Sequence, residues 1–248
     1  MALKIDIFPC LSDNYGFLVR DEASGKVACI DTPEASTIIA RAEALGWRID
    51  TILNTHWHGD HGGGNAEVKA HFGCDIYGPA EVAEHWPLDH VLKPGDVFQL
   101  GETALDVIDL GGHTHGIIGY LDRAGGNVFV ADCLFPLGCG RMFEGTPQQF
   151  WASLSRLAAL PGDTIIWSAH EYTLANLKFA ESLGETETLK ARGERIRQMR
   201  EAGQFTVPST VAEEIATNPF LVYPLREKDV GAQAAKFAEV RAMKDVFK

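Results

Sequence analysis

The segment Thr55-His56-Trp57-His58-Gly59-Asp60-His61 constrains this chain more than any other stretch. It follows directly on a short apolar run, residues 51–54, so a strand must end where the histidines begin. The histidines then sit on the loop beyond that strand, where functional groups are commonly presented. Imidazole and carboxylate together suit a Lewis-acidic divalent metal. Four such ligands within six positions are too crowded to face one ion. The spacing gives His56 and His58 to one metal, and Asp60 and His61 to a second. The alternative is a polar loop rich in histidine by chance, and the density of H-x-H-x-D-H argues against it.

Further candidates stand at the ends of strand-like runs. Residues 103–110, 117–121, 128–132 and 164–168 read as strands; the first and third end beside His113 and Asp132, and His170 comes just after the last. Ligands at successive strand ends point to one rim of a sheet structure. His113 completes the first site with His56 and His58. His170 completes the second with Asp60 and His61. Asp132 belongs to both, because a carboxylate bridge holds two cations about 3.5–4 Å apart and offsets their repulsion. A water shared by such a pair should ionise near neutral pH, and that hydroxide would be the nucleophile. Asp60 and Asp132 are thus the catalytic carboxylates, and no serine or cysteine nucleophile is needed.

Several residues near these positions have open readings. His115 competes with His113 within Gly111-Gly112-His113-Thr114-His115-Gly116, and the glycines imply a turn there. Asp31 ends a strand and either orients a ligand or serves an ordinary turn. His71, His85 and His90 read as structural, and Cys133 as a buried thiol. The run Gly62-Gly63-Gly64-Asn65 lacks a phosphate-binding pattern; small residues there would let the backbone pass close to the metals and enter a helix over 66–72.

Bulk properties set outer limits. A chain of 248 residues with 46% hydrophobic content can bury a sizeable core. Its formal charge of −12 argues against nucleic acid, which wants a basic surface. The five cysteines form no C-x-x-C pair, so a disulfide framework is not expected and a reducing compartment is. Asp6 interrupts the start where a signal peptide needs an apolar core, and no apolar run reaches the ~18 residues of a membrane span. The expectation is a cytoplasmic monomer with no membrane partner. Strands 3–8, 17–20 and 27–31 and a helix over 34–45 open the chain. After residue 170 the texture turns helical, over 172–183, 185–202 and 231–246, with 203–208 and 218–224 as irregular connectors.

The T-H-x-H-x-D-H motif, the later His-Thr-x-Gly segment and the isolated Asp132 and His170 resemble the metallo-β-lactamase superfamily. Within it the chain is similar to glyoxalase II, the hydroxyacylglutathione hydrolase family, over essentially its whole length. The resemblance rests on Asp13-Asn14-Tyr15, on Cys139 through Thr146, and on His170-Glu171-Tyr172-Thr173. It also rests on Asn176 through Ala180, Asn218-Pro219-Phe220, and the closing Lys244-Asp245 and Phe247-Lys248. It implies an α/β fold, an αββα sandwich over residues 1–170, followed by a helical glutathione-binding domain over 171–248. It implies hydrolysis of S-D-lactoylglutathione to D-lactate and glutathione, in methylglyoxal detoxification. By motif position Arg141, Phe143, Tyr172, Arg241 and Lys244 would meet the glutathione part, and Arg and Lys bind its carboxylates well. Without the resemblance, Arg241 and Lys244 would read as a solvated helix face. The family often shows Lys-x-Tyr where this chain has Arg141-Met142-Phe143, so one hydroxyl is missing, and Pro-Gly is more usual than Gly111-Gly112.

The ligand set accepts two divalent ions, zinc first, with iron or manganese also suited. The alternative reading within the same fold is a persulfide dioxygenase-like enzyme with one iron; the full second-metal set and the helical tail favour the hydrolase. A flavin-linked di-iron reductase would carry Glu where His58 stands. A β-lactamase or a nuclease is compatible with the motif alone, and a non-catalytic relic would not keep seven ligands intact.

Overall fold

A computed structural model describes residues Leu3–Phe247. Met1, Ala2 and Lys248 lie outside the described residues, Lys248 being the last marker of the resemblance. The chain forms two compact units. The first runs to Asp109 and takes in Gly116–Phe129; the second takes in Leu110–His115 and runs on from Val130.

In the first unit a six-stranded sheet has the order β1 (Leu3–Cys10), β2 (Asn14–Asp21), β3 (Val27–Ile30), β4 (Thr51–Leu53), β5 (Asp75–Gly78) and β6 (His90–Val91). β1, β2 and β3 pair antiparallel; β3 to β6 pair parallel. The parallel pairing of β3 with β4 requires a crossover, and α1 (Ala35–Ala44) supplies it. Ala35, Ile38 and Ala42 share one face of α1 and are buried in the core with Leu18, Ile52 and Ile76. Burying one such isoleucine contributes about 1.5–3 kcal/mol. Cys10, Cys29 and Cys74 belong to the same core, and all five cysteines are buried free thiols. Burial raises the Cys10 thiol pKa to about 12.

The metal loop leaves β4 and carries α2 (Gly59–Gly62) and α3 (Asn65–Phe72). β7 (Val97–Leu100), β8 (Thr103–Asp109) and β9 (Ile118–Asp122) pair antiparallel, and β10 (Asn127–Ala131) continues from β9 through Asn127, Val128 and Phe129. β9 grips the start of the metal loop. The Ile118 N–H donates to the Thr55 carbonyl at 3.0 Å, and the Tyr120 hydroxyl donates to the Asn54 carbonyl at 2.6 Å. β5, β6 and β7 lie where no strand was expected, because their apolar alternation is short and broken by Gly and Asp.

The second unit holds the hairpin β11 (Leu134–Phe135) and β12 (Gly138–Cys139), α4 (Pro147–Ala158), β13 (Ile165–Ser168), α5 (Thr173–Ser182), α6 (Glu187–Glu201), β14 (Ser209–Thr210), α7 (Val211–Thr217), α8 (Pro219–Val222) and α9 (Val230–Val246). The helices expected after residue 170 are present within one or two residues of their expected ends. α4 lies where the sequence reading expected no element: Thr146 caps it by accepting from Gln149 N at 3.2 Å, and Pro147 sits at its first turn. α7 and α8 likewise correct the sequence reading. α7 was not expected, and α8 replaces an irregular connector. A Thr210/Glu213 capping box starts α7, and Pro219 starts α8. Leu137, Leu177, Ala180, Leu189 and Ile196 form one buried apolar cluster of this unit.

Beneath the β11–β12 hairpin lies a buried polar cluster. Arg192 and Glu214, 6% and 0% exposed, form an ion pair. Arg192 Nη1 donates to Thr217 Oγ1 at 2.6 Å, while Glu214 Oε2 accepts from Leu137 N and Asn218 Nδ2, both at 2.9 Å. Asn218 Nδ2 in turn reaches the Gly138 carbonyl at 2.9 Å. The hairpin is thereby pinned to helices α6 and α7.

Candidate metal centre

In the first unit His56 and His61 are buried, at 0% and 1% exposure; His58 and Asp60 are half-buried. His56 Nε2 and His58 Nδ1 stand 3.0 Å apart, and donor atoms of Asp31, His56 and His61 lie within 4.8 Å of one another. Asp31 is the organiser. It accepts from Thr55 N at 2.8 Å, from Thr55 Oγ1 at 2.7 Å and from His61 Nδ1 at 2.8 Å. Its φ of +57° is unusual for a residue with a side chain, and it sits where β3 ends and the chain turns. Of the two readings left open for Asp31, the geometry carries the orienting one.

These bonds fix ring tautomers. A carboxylate only accepts, so His61 Nδ1 carries its proton and Nε2 keeps a lone pair. The Thr55 hydroxyl gives its single proton to Asp31, so at 3.0 Å it accepts from His56 Nδ1. Nε2 of His56 then also carries a lone pair. We expect Asp31→Asn to lower metal affinity about ten- to a hundredfold, the usual effect of removing a ligand's supporting carboxylate; chelator competition would check it, and wild-type affinity would contradict it.

The glycine run allows close packing against its neighbours. A Cβ at Gly62 would come 2.4 Å from the Trp86 ring, and one at Gly64 would come 2.7 Å from the Thr32 carbonyl. Close packing against Trp86 and Thr32 demands small residues there. The helix after the run begins at Asn65, whose side chain joins Thr32 and Asn54 at 2.7 and 2.6 Å. His71 and His90 pair with Glu43 and Asp75 at the surface, and His85 stacks on Trp57 at 4.3 Å.

In the second unit His113, Asp132 and His170 are all buried. Asp132 lies between the two histidines: Oδ2 is 3.3 Å from His113 Nε2, and Oδ1 is 3.3 Å from His170 Nε2. His113 Nδ1 donates to the Arg141 carbonyl at 2.7 Å, which leaves its Nε2 lone pair facing the carboxylate. Lone pairs against a carboxylate oxygen repel unless a cation lies among them, so this donor set fits a divalent metal. His115 is exposed, with its backbone N–H on Glu144, and does not join the group. Gly140 is required nearby, because a Cβ there would come 2.0 Å from the Asp132 carbonyl oxygen. Tyr172 stacks on His170 at 4.7 Å with the rings 5° from parallel, and Phe143 meets His113 edge-on at 5.3 Å.

The same unit contains a cleft of about 480 Å³. His113 and Asp132 line it, together with all five residues expected to meet glutathione. Arg141 is exposed and its guanidinium has no ion-pair partner among the described residues. Phe143 is 61% exposed. Arg241 is buried rather than on a solvated helix face. It donates to the Cys139 carbonyl at 3.1 Å, pairs with Asp245 at 2.8 Å and lies over the Phe220 ring. Lys244 sits over the Phe179 and Phe247 rings and donates to the Ala175 carbonyl at 3.2 Å. Burial lowers its pKa, and the neighbouring Arg241 and Arg141 charges lower it further.

Comparison with known proteins agrees with this geometry. The metallo-beta-lactamase superfamily model matches residues 17–170, and the hydroxyacylglutathione hydrolase C-terminus model matches residues 171–247. The hydroxyacylglutathione hydrolase of Erythrobacter litoralis (strain HTCC2594) is 47% identical over 99% of this chain and 100% of its own length. The chain belongs to the hydroxyacylglutathione hydrolase family. The hydroxyacylglutathione hydrolase of Rhizobium meliloti (strain 1021) is 45% identical, with 99% of each chain covered. Among solved structures ETHE1 from Myxococcus xanthus superposes with a TM-score of 0.69 over 99% of this chain and 96% of its own, at 23% identity. That likeness concerns the fold alone: a mixed α/β metallo-β-lactamase domain followed by a helical C-terminal domain. No helix among the described residues is long and apolar enough to cross a membrane.

Sequence reasoning named the first unit's four candidate donors and the second unit's three. It passed over Asn14, which donates to Asp60 Oδ2 at 2.9 Å and was only a marker of resemblance. It also passed over Thr55, Asn54 and Asn65 as supports of the metal loop. The residues that hold ligands are spread along the chain, and no local pattern marks them.

Proposed function

We propose that this hydroxyacylglutathione hydrolase hydrolyses S-D-lactoylglutathione and related S-2-hydroxyacylglutathiones to the free hydroxy acid and glutathione. The supporting observation is the cleft, in which His113 and Asp132 share one cavity with Arg141 and Lys244. His56, His58, His113 and Asp132 would hold one divalent ion; Asp60, His61, His170 and Asp132 would hold the second. The division is a catalytic domain over 1–170 and a glutathione-binding domain over 171–248, working as a cytoplasmic monomer. Bound divalent cations supply Lewis acidity at the thioester carbonyl and bring water close to ionisation at neutral pH.

The chain's own residues do the rest. Asp31 and the Arg141 carbonyl keep Nδ1 of His61 and His113 protonated, so Nε2 serves as ligand. Arg141 and Lys244 bind the two glutathione carboxylates, which reconciles an anionic substrate with a chain of charge −12. Arg241 shapes the wall by holding the Cys139 and Gly140 carbonyls. Water adds to the carbonyl carbon, the C–S bond breaks, and the thiolate departs without strong acid help, since a thiol pKa is about 8.5.

The test is purified, metal-replete protein mixed with S-D-lactoylglutathione, with thioester loss, thiol release and oxygen uptake followed together. The expected result is one thiol per thioester lost and no oxygen consumed. A thioester left untouched, with oxygen taken up once glutathione persulfide is supplied, would return the one-iron persulfide dioxygenase reading; relatives named for the hydrolase, 42–47% identical over the whole length, make that reading the weaker one. Lys244→Ala should raise KM about tenfold or more with kcat nearly unchanged, as removal of uniform binding does. Its lowered pKa adds a pH signature. The ammonium is lost earlier on the alkaline side than that of an ordinary lysine, so KM should climb there, and Lys244→Arg should move that climb to higher pH. A fall in kcat at constant KM would contradict the anchoring role.

A further inference from the structure

The structure shows a hydrogen bond to the histidine-rich loop that the proposed chemistry does not use, and it comes from a residue 46 positions earlier in the chain. Asn14, the first residue of β2, is 5% exposed and is fixed in the β1–β2 ladder opposite Cys10. Its amide Nδ2 donates to Asp60 Oδ2 at 2.9 Å and lies 3.4 Å from the Asp60 carbonyl oxygen. Asp60 needs such a hold. Its side chain is 35% exposed, and it sits on a helix of only four residues. The oxygen that Asn14 engages is also the one 3.6 Å from His61 Nε2. We propose that Asn14 is a positioning residue for the second metal: it sets the Asp60 carboxylate beside His61 so that the two act as a ready-made ligand pair. This rests on the binuclear reading above.

The chemistry favours an amide at this place. A carboxylate would set two negative charges about 3 Å apart, and an aliphatic residue of the same size would fill the space without fixing the rotamer. The amide supplies a neutral donor, so it orients Asp60 and leaves its charge available for the metal. His61 is held by Asp31, and the pair is thereby fixed from β2 and from the turn after β3.

The test uses the full chain without substrate. Two zinc equivalents are titrated against a chromophoric chelator in wild type, Asn14→Leu and Asn14→Ala, and the metal-free proteins are melted in parallel. Both variants should keep one equivalent at wild-type tightness and loosen the other about ten- to a hundredfold, to the same extent, with the metal-free melt unmoved. In an Asp60→Ala background, Asn14→Leu should add nothing to the loss of that metal, because the side-chain bond it removes is already gone. The inference is overturned if both equivalents stay as tight as in wild type. It is also overturned if both loosen together with a falling metal-free melt, if Leu restores what Ala loses, or if the effects add in the Asp60→Ala background. Because no thioester is present, failure of the proposed substrate leaves this result standing; a wild type that takes up only one equivalent overturns the inference by itself.

Discussion

Asp132→Asn is expected to lose turnover and bound metal together. The change is nearly isosteric, so the fold should survive, and circular dichroism would check that. The carboxylate lies between His113 and His170, with each oxygen 3.3 Å from a ring nitrogen. An amide there presents one oxygen and one NH₂, so it offers cations a single ligand atom where the carboxylate offers two, and its NH₂ can donate to the His113 lone pair and block it. It also removes the negative charge that offsets repulsion between two cations. Turnover should fall by more than about a thousandfold, the upper end of what one electrostatic stabiliser contributes. Metal content measured on the same sample should fall with it, and His58→Ala should behave alike. A variant that is metal-free yet fully active would contradict the ligand assignment.

Glu214→Ala is expected to have the largest effect on stability. Glu214 is fully buried and accepts from three groups: the Arg192 guanidinium, Leu137 N and Asn218 Nδ2. Truncation leaves the buried Arg192 charge uncompensated, which costs about 3–5 kcal/mol. Against a total of about 5–15 kcal/mol, that is a large share. The urea midpoint should drop with little change in slope. KM should rise as well, because the freed Leu137 N–H belongs to the hairpin whose Cys139 and Gly140 line the cleft. An unmoved midpoint would show that Arg192 finds other partners.

The two predictions probe parts of the molecule that differ in how far the sequence revealed them. The candidate metal ligands were legible because chemistry concentrates them. Four lie within six residues, and the other three follow strand ends, where a sheet rim is the economical reading. The Arg192–Glu214 pair was not legible, since each residue alone looks like a solvated helix charge and only packing shows them buried. Arg241 misleads in the same way. Its helical spacing suits an exposed face, yet it is 5% exposed and holds backbone carbonyls about a hundred residues away. The helix α4 carried a sign that could have been used, the Thr146-Pro147 start followed by Phe150, Trp151, Leu154 and Leu157 on one face. The purpose of the glycine run could not be read at all, because Trp86, the side chain that excludes a Cβ at Gly62, lies in a distant loop. Asn14 belongs with these cases: the contact that gives it meaning spans 46 residues.

The most direct measurement is hydrolysis of S-D-lactoylglutathione by metal-stripped protein as zinc is added back in known equivalents. The account predicts no measurable hydrolysis without metal, activity that rises with added zinc and levels off at two equivalents, and complete loss when a chelator is returned. Hydrolysis at full rate by the stripped protein, or two zinc equivalents bound with the thioester left intact, would contradict it.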